Sequence, residues 1–111
     1  RAQLPAPQAV AGMTADDRVL CRNPDATKAG VRLPAWKFDT IRRAILDELA
    51  GGPVSLREMT DRIRRRIPSA DLETLGKLGW HMMGVKLELE VRGEIRRLPG
   101  TPQRLAMGNV E

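Results

Sequence analysis

The sequence predicts a mixed α+β fold in which three helices are followed by a C-terminal β-hairpin. Apolar residues recur at helical spacing between residues 34 and 92, and the spacing becomes strand-like after Gly93. Breakers from Pro99 to Pro102 divide the strand-like part into the two arms of a hairpin. The chain has 111 residues, of which 41% are hydrophobic and 30% charged. This composition is typical of one soluble globular domain.

The first predicted helix begins at Pro34, which suits the first helical position because that position needs no N–H donor. Gly51, Gly52 and Pro53 end the helix. Its apolar residues recur at helical intervals and predict one buried face, made of Phe38, Ile41, Ile45 and Leu49.

The second predicted helix begins with a capping box. In this motif the Ser55 hydroxyl accepts a hydrogen bond from the amide of Glu58, and the Glu58 side chain reaches back to the first amide. Pro68 ends the helix. The apolar stripe that we expect to be buried consists of Leu56, Met59, Ile63 and Ile67.

The third predicted helix is the longest, capped by Asp71 and running to about Arg92, with Gly93 as a left-handed stop. It has apolar residues on two opposite sides. The side that we expect to face the core carries Leu75, Leu78, Met82, Val85 and Leu89. The opposite side, which we call the outer stripe, consists of Trp80, Met83, Leu87 and Val91, with Gly76 and Gly84 beside it.

The N-terminal part is predicted to be an arm followed by a short β segment. Residues 1–17 are rich in alanine, proline and glutamine and predict a flexible arm, and residues 108–111 predict a short tail. Arg18–Cys21 and Gly30–Leu33 are β-prone and flank a turn, which predicts a hairpin at the start of the domain at residues 18–107.

Several functional classes are excluded by what the chain lacks. A single cysteine, Cys21, excludes an internal disulfide, and with a single histidine, His81, we predict no metal site and no cofactor. The glycines do not form a phosphate-binding motif. Glu88 and Glu90 do not form an acid/base pair, because they point to different sides of a helix. We therefore predict that the protein is not an enzyme, and that Cys21 is a small buried apolar residue.

From the sequence we expect neither a membrane span nor a signal peptide. No apolar run approaches the ~20 residues that a span needs, and no apolar segment precedes the cleavage-like stretch around Met13. We expect a cytoplasmic protein. Because the sequence does not begin with methionine, we interpret it as a fragment or processed product in which Met13 is a candidate native start.

The order of the predicted elements resembles that of the winged-helix family. The resemblance is carried by the capped helix at Ser55, by the run from Leu87 to Arg97 with its L-x-x-x-G-x-I-x-R form, and by the turn Pro99–Pro102. With Lys77-Leu78-Gly79-Trp80 in front of it, the run is similar to a group of small uncharacterised bacterial proteins. The resemblance implies a winged helix of three helices plus a C-terminal β-hairpin wing, preceded by a short N-terminal β segment.

This resemblance implies contact with double-stranded DNA. In a winged helix the third helix enters the major groove and the wing touches phosphates. Lys77, His81 and Lys86 would then lie near bases or backbone. The other residues implied in nucleic-acid binding are Arg62, Arg64, Arg65 and Arg66 on the second helix and Arg96, Arg97 and Arg104 on the wing.

The charge distribution favours backbone contact over base recognition. The net charge of +5 is the sum of +2 over residues 1–33, 0 over 34–50, +3 over 55–68, −2 over 71–91, +3 over 92–104 and −1 from Glu111. The arginines of residues 62–66 contact phosphate in one interpretation and form a solvated helix end in the other. For the wing arginines we favour phosphate contact over protection of a strand edge, because two basic blocks then fall on one molecule.

The outer stripe supports an alternative function, a protein–protein interaction module that forms a homodimer. A helix that reads bases should expose polar side chains, and this one exposes apolar ones. The stripe must be covered by the N-terminal hairpin, by the wing or by a second subunit. For Trp80 itself we favour burial under the N-terminal segment over an anchoring role, and we expect His81 to lie at the surface.

Overall fold

A computed structural model describes residues 17–108 and has two small antiparallel sheets combined with helices, which confirms the predicted mixed α+β class. The predicted arm and tail lie outside the described residues, except for Asp17 and Gly108. In chain order the elements are β1 (Arg18–Cys21), β2 (Val31–Pro34), α1 (Ala35–Leu49), β3 (Val54–Ser55), α2 (Leu56–Arg64), α3 (Ser69–Leu75), α4 (Leu78–Arg92), β4 (Ile95–Leu98) and β5 (Arg104–Met107).

The predicted N-terminal hairpin is confirmed as the first sheet, in which β1 pairs with β2. Val19 lies opposite Leu33, and the second strand begins at Val31 rather than at Gly30. Gly30 instead lies in the connecting loop. A Cβ atom at this position would lie 2.5 Å from the carbonyl oxygen of Cys21, so the close return of the chain requires glycine.

The second sheet contains three strands in the order β3-β5-β4. Val54 lies opposite Leu105 and Ser55 opposite Arg104, so the short strand before α2 pairs with the last strand. The amide of Leu56 also donates to the carbonyl oxygen of Gln103 at 2.9 Å. This bond supplies one of the partners that a helix N-terminus lacks and fixes the start of α2 against the C-terminal hairpin.

The Ser55 half of the predicted capping box is confirmed, but the Glu58 side chain accepts hydrogen bonds from Arg62 rather than from the first amide. Two helix boundaries also differ from the prediction. Ser55 Oγ accepts from the Glu58 amide at 3.2 Å. The helix α2 ends at Arg64 rather than near Pro68, and Ile67 is nevertheless buried, because the turn that follows returns its side chain to the core. Pro34 ends β2 instead of beginning α1, since its extended backbone (ψ 139°) is that of a strand.

The predicted third helix is in fact two helices, α3 and α4. Gly76 has a φ of +85°, which ends α3, and α4 begins at Leu78. Gly76 is therefore not a helical position. Asp71 does not cap α3, because that helix begins at Ser69 after Pro68. The predicted end is correct, since Gly93 adopts a left-handed conformation (φ +78°).

The core is centred on the packing of α1 against α4. Every residue predicted for the inner face of the third helix is buried, in spite of the break, and so are the four predicted core residues of α1. The Lys37 ammonium donates to the carbonyl oxygen of Leu75 at 3.2 Å, which ties the start of α1 to the end of α3. The start of α4 is thereby placed close to α1, and its outer stripe faces away from the core.

Candidate interaction surface

The outer stripe of α4 is open at its N-terminal end. Trp80 has 56% of its surface exposed and Met83 38%, whereas Leu87 and Val91 are half-buried. The predicted burial of Trp80 under the N-terminal segment is therefore wrong. Its ring packs edge-on against His81, with 5.0 Å between the ring centroids. His81 is half-buried, and its Nδ1 is 2.8 Å from the carbonyl oxygen of Lys77.

The hairpin β1–β2 covers the middle of α4 but does not reach its first turn. Contact is closest at Gly84, where a Cβ atom would lie 3.3 Å from Val31 Cγ2 and 3.8 Å from Leu33 Cδ1. The absence of a side chain at Gly84 therefore permits close packing of the hairpin on α4. The hairpin and Trp80 line one cavity, and more than half of the Trp80 surface stays exposed.

Three adjoining cavities follow the outer stripe beneath the loop of residues 22–30, and together we call them the outer groove. The first, of about 180 Å³, lies between Trp80 and the hairpin. The second, of about 490 Å³, reaches Val91, and the third, of about 690 Å³, reaches the C-terminal hairpin at Gln103. The first and third cavities share Met83 and Leu87, so the apolar stripe runs through the groove.

Cys21 lines the first cavity but is not a candidate nucleophile. It is 3% exposed, and burial raises the pKa of its thiol to about 11. A thiol with a raised pKa carries little thiolate at neutral pH, and the thiolate is the reactive form. The prediction that Cys21 is a small buried apolar residue is confirmed.

Glu88 is a buried carboxylate that joins the hairpin to α4, and sequence analysis did not identify it. Its side chain is 2% exposed and accepts hydrogen bonds from the Arg22 amide at 2.8 Å and from the Arg22 guanidinium at 3.0 and 2.7 Å. Arg92 donates a further bond at 2.8 Å. The hydrogen bonds from Arg22, more than any other interaction, lower the pKa of Glu88 to about 2.

The Glu88 network continues beyond these two arginines. Arg92 also lies 3.8 Å from Glu94, which pairs with Arg42 at 2.8 Å. The guanidinium of Arg92 lies over the ring of Phe38, 4.8 Å from its centroid, and gains a cation–π interaction there. Three cations thus share two carboxylates, so the network keeps a net positive charge.

Glu90 forms a second network, which overturns the expectation for Lys86. The Lys86 side chain is 2% exposed, and its ammonium lies 2.6 Å from one Glu90 oxygen. The other oxygen accepts from Arg97 at 2.8 Å. Lys86 therefore cannot lie near bases or a phosphate backbone, because it is enclosed beneath the third cavity. Two cations share one carboxylate, so this network also keeps a positive charge.

The seven arginines predicted to bind nucleic acid, taken together with Lys77, fall into two groups of equal size. Arg62 and Arg66 pair with Glu48, Arg64 pairs with Asp61, and Arg97 pairs with Glu90. Within residues 17–108 no carboxylate pairs with the remaining four, which are Arg65, Lys77, Arg96 and Arg104. The hydrogen bond from Arg66, above all, lowers the pKa of Glu48.

Two of the unpaired cations share the outer face of the second sheet. Ile95 and Leu105 are buried and mark the inner face. Strand alternation then places Arg96 and Arg104 on the opposite face, where both are exposed. Arg96 Nε donates to the carbonyl oxygen of Met107 at 3.2 Å.

The described part of the chain lacks two kinds of feature, a membrane-spanning helix and a metal-binding cluster. In residues 17–108 no helix is long and apolar enough to cross a membrane. In the same range no group of three or more histidine, cysteine, aspartate or glutamate residues could hold a metal ion.

Comparison with known proteins places the chain in a family. Residues 18–105 match a family of unknown function, DUF6958. The chain belongs to this family. The matched range begins with β1 and ends within β5, so the DUF6958 unit includes the N-terminal hairpin as well as both networks. No curated protein and no solved structure matches the chain.

Proposed function

We propose that this DUF6958 chain is a winged-helix domain that acts as a protein-interaction module. The order of elements supports the winged-helix assignment, since α1, β3, α2 and α4 are followed directly by the β4–β5 hairpin. The strand order β3-β5-β4 supports it too, because β3 pairs with β5, which is the second strand of the proposed wing. The hairpin β1–β2 and the short α3 are additions to that plan.

The observation that carries the proposed function is the exposure of Trp80 and Met83 beside an apolar cavity. Trp80 has 56% of its surface in contact with solvent, although a tryptophan side chain gains much free energy from burial. Aromatic residues and methionine are enriched in the buried centres of protein interfaces, and tryptophans often carry a large share of the binding energy. A partner protein that covers this end of α4 would bury both side chains.

The same surface is unsuited to reading base pairs. Bases in the major groove are recognised through hydrogen bonds from side chains such as arginine and asparagine. The exposed turn of α4 presents Trp80 and Met83 instead, and Lys86, the one lysine within α4, is buried. The geometry therefore favours a protein partner over a base-reading role.

Site-specific photo-cross-linking in cells tests this proposal. Met83 is replaced by p-benzoylphenylalanine, and Arg43, exposed on α1, receives the same replacement as a control. We expect a discrete protein adduct from position 83 and none from position 43, with the adduct identified by mass spectrometry. The homodimer suggested by the sequence would appear as an adduct with a second copy. No protein adduct at position 83, or equal adducts at both positions, would contradict the proposal.

A second candidate function is contact with DNA phosphates, favoured by the unpaired cations on the outer face of the second sheet. Arg96 and Arg104 are exposed there without a carboxylate partner among the described residues. Arg65 and Lys77 are exposed elsewhere on the surface. Such contacts would be independent of base sequence and weakened by salt.

Fluorescence anisotropy with a mixed-sequence duplex tests the second candidate at about 50 mM and about 200 mM NaCl. An Arg96→Ala, Arg104→Ala double variant should bind more weakly and reduce the salt slope by about 2, one for each lost phosphate contact. Arg43→Ala serves as the control, because it removes an exposed arginine from α1. No binding by the wild type at micromolar concentration and low salt would exclude this function.

A further inference from the structure

We propose that the partner is an acidic segment with large apolar side chains, which lies in the outer groove. This inference rests on the proposed interaction function and names the chemistry of the partner. It is carried by two features of the groove, an apolar floor and an excess of positive charge along its sides.

The floor of the groove requires apolar side chains from the ligand. Trp80, Met83 and Leu87 lie along it, and Val31 and Cys21 close the first cavity from the hairpin side. A phosphate or a polar peptide would lose its hydration against these apolar side chains without gaining hydrogen bonds from them. An apolar side chain would instead bury its own surface together with that of Trp80.

The sides of the groove require negative charge. Arg22 and Arg97 line it with about half of each side chain exposed, and Lys28 is exposed on the loop above. Their counter-charges are beneath the surface, since the side chains of Glu88 and Glu90 are 2% and 9% exposed.

Ion pairing does not neutralise the positive charge along the sides of the groove. Each of the two buried carboxylates serves two cations, so the Glu88 and Glu90 networks both remain positive. Asp25 is the one exposed carboxylate that lines the described groove. An acidic ligand would complement this excess of positive charge, and complementary charge raises both association rate and specificity.

The charge also argues against a second copy of the chain as the occupant. A two-fold symmetric dimer would place the same patch on both partners. Arg22, Lys28 and Arg97 of both copies would then lie within one interface. Like charges brought together at an interface oppose association.

Gln103 offers a specific contact for a bound peptide. Its side-chain oxygen is buried at the third cavity and has no hydrogen-bond partner among the described residues. A buried acceptor without a donor is unfavourable. A backbone N–H group of a segment in the groove could supply the missing donor.

Selection from a phage-displayed library of random peptides tests the inference on the full chain. The wild type serves as bait, and Trp80→Glu is used for counter-selection. We expect enriched peptides to be more negatively charged than the unselected library and to contain at least two large apolar residues. Binding of an enriched peptide, followed by anisotropy, should weaken about tenfold or more in Trp80→Ala.

Two matched charge reversals distinguish the effect of charge at the sides of the groove from the effect of charge elsewhere on the surface. Lys28→Glu should weaken peptide binding several-fold, whereas Arg43→Glu makes the same change on α1 and should leave binding unaltered.

Light scattering of the free protein tests whether a second copy occupies the groove, and it should report a monomer.

Three results would overturn the inference. These are enrichment without a negative charge bias, no enrichment at all, and dimerisation that Trp80→Glu abolishes. Displacement of the peptide by duplex DNA, unaffected by Trp80→Ala, would assign the groove to nucleic acid and also overturn it. If cross-linking at position 83 captures a protein that is not acidic, the proposed interaction function stands and this inference alone fails.

Discussion

At the scale of single residues, Glu88 shows how this chain buries a charged group. A carboxylate removed from water is strongly destabilising unless it is paired and hydrogen-bonded. Glu88 accepts bonds from the Arg22 amide, the Arg22 guanidinium and Arg92, so both of its oxygens are used. The two arginines are themselves partly exposed and keep much of their hydration. The arrangement thus desolvates one charge fully and two only in part.

Glu88→Gln should lower the free energy of unfolding by about 2 kcal/mol, because a neutral amide loses the charge-assisted bonds to both arginines. Urea unfolding measures this change. Glu73→Gln is the matched control, since Glu73 is exposed on α3 and should change stability by less than about 0.5 kcal/mol. Equal effects of the two substitutions would show that Glu88 does not hold the hairpin to α4.

The contribution of Glu88 should also depend on pH. Its folded pKa of about 2 is below the ordinary value of 4.5, so its stabilisation is fully present above about pH 4.5. The stabilisation is lost as the pH falls from 4.5 towards 2. We therefore expect the stability difference between the wild type and Glu88→Gln to be constant near neutral pH and to shrink below pH 4.5. A constant difference down to about pH 3 would contradict this assignment.

The site could be predicted from the sequence only where a single element decides a residue's surroundings. Helical spacing predicts the two faces of α4, including the outer stripe of Trp80, Met83, Leu87 and Val91. The pairing of Glu88 with Arg22 did not follow, because Arg22 is 66 positions away and its approach depends on how the hairpin docks. Burial of Lys86 was missed for a similar reason, since β4 supplies Arg97 to the carboxylate of Glu90.

At the scale of elements, α4 carries two stripes with different roles. Leu89 lies on the inner face with 0% of its surface exposed, and Leu87 lies on the outer stripe and is half-buried. Leu89→Ala should cost about 2–5 kcal/mol because it opens a cavity in the core. Leu87→Ala, the same change on the same helix, should cost less than about 1.5 kcal/mol. Urea unfolding of the two variants compares the faces, and equal losses would mean that the outer stripe is also core.

The helices could be predicted because their apolar spacing is regular, and the break between α3 and α4 could not. Leu75 and Leu78 are both buried on the same side, so the face continues across the break as it would in one helix. Gly76 has no side chain to reveal its positive φ in the pattern. Gly93, which also has a positive φ but adopts the left-handed helical conformation, was predicted because the spacing changes after it.

At the scale of the whole molecule, the hairpin β1–β2 is an attached unit whose docking can be tested separately. Gly84→Leu would push a side chain into Val31, which already lies 3.3 Å from the position of a Cβ atom. We expect the hairpin to detach while α1 and α4 remain folded, and the single cysteine to react with a thiol reagent about tenfold faster or more.

Gly79→Ala is the control for this experiment, because the atom nearest to its Cβ position is 4.0 Å away. It should leave the Cys21 thiol unreactive. Circular dichroism checks that the helices persist in both variants. An unreactive thiol in folded Gly84→Leu, or loss of all helical signal, would contradict the separate docking of the hairpin.

The sharing of one carboxylate by two cations has a consequence for which substitutions the family can tolerate. If Arg22 or Arg92 is replaced, Glu88 still has a partner, and the same holds for Glu90 when either Lys86 or Arg97 is replaced. Replacement of a glutamate leaves two cations without their counter-charge. We therefore expect the two glutamates to be conserved in other members of the family, while the basic residues around them are substituted one at a time.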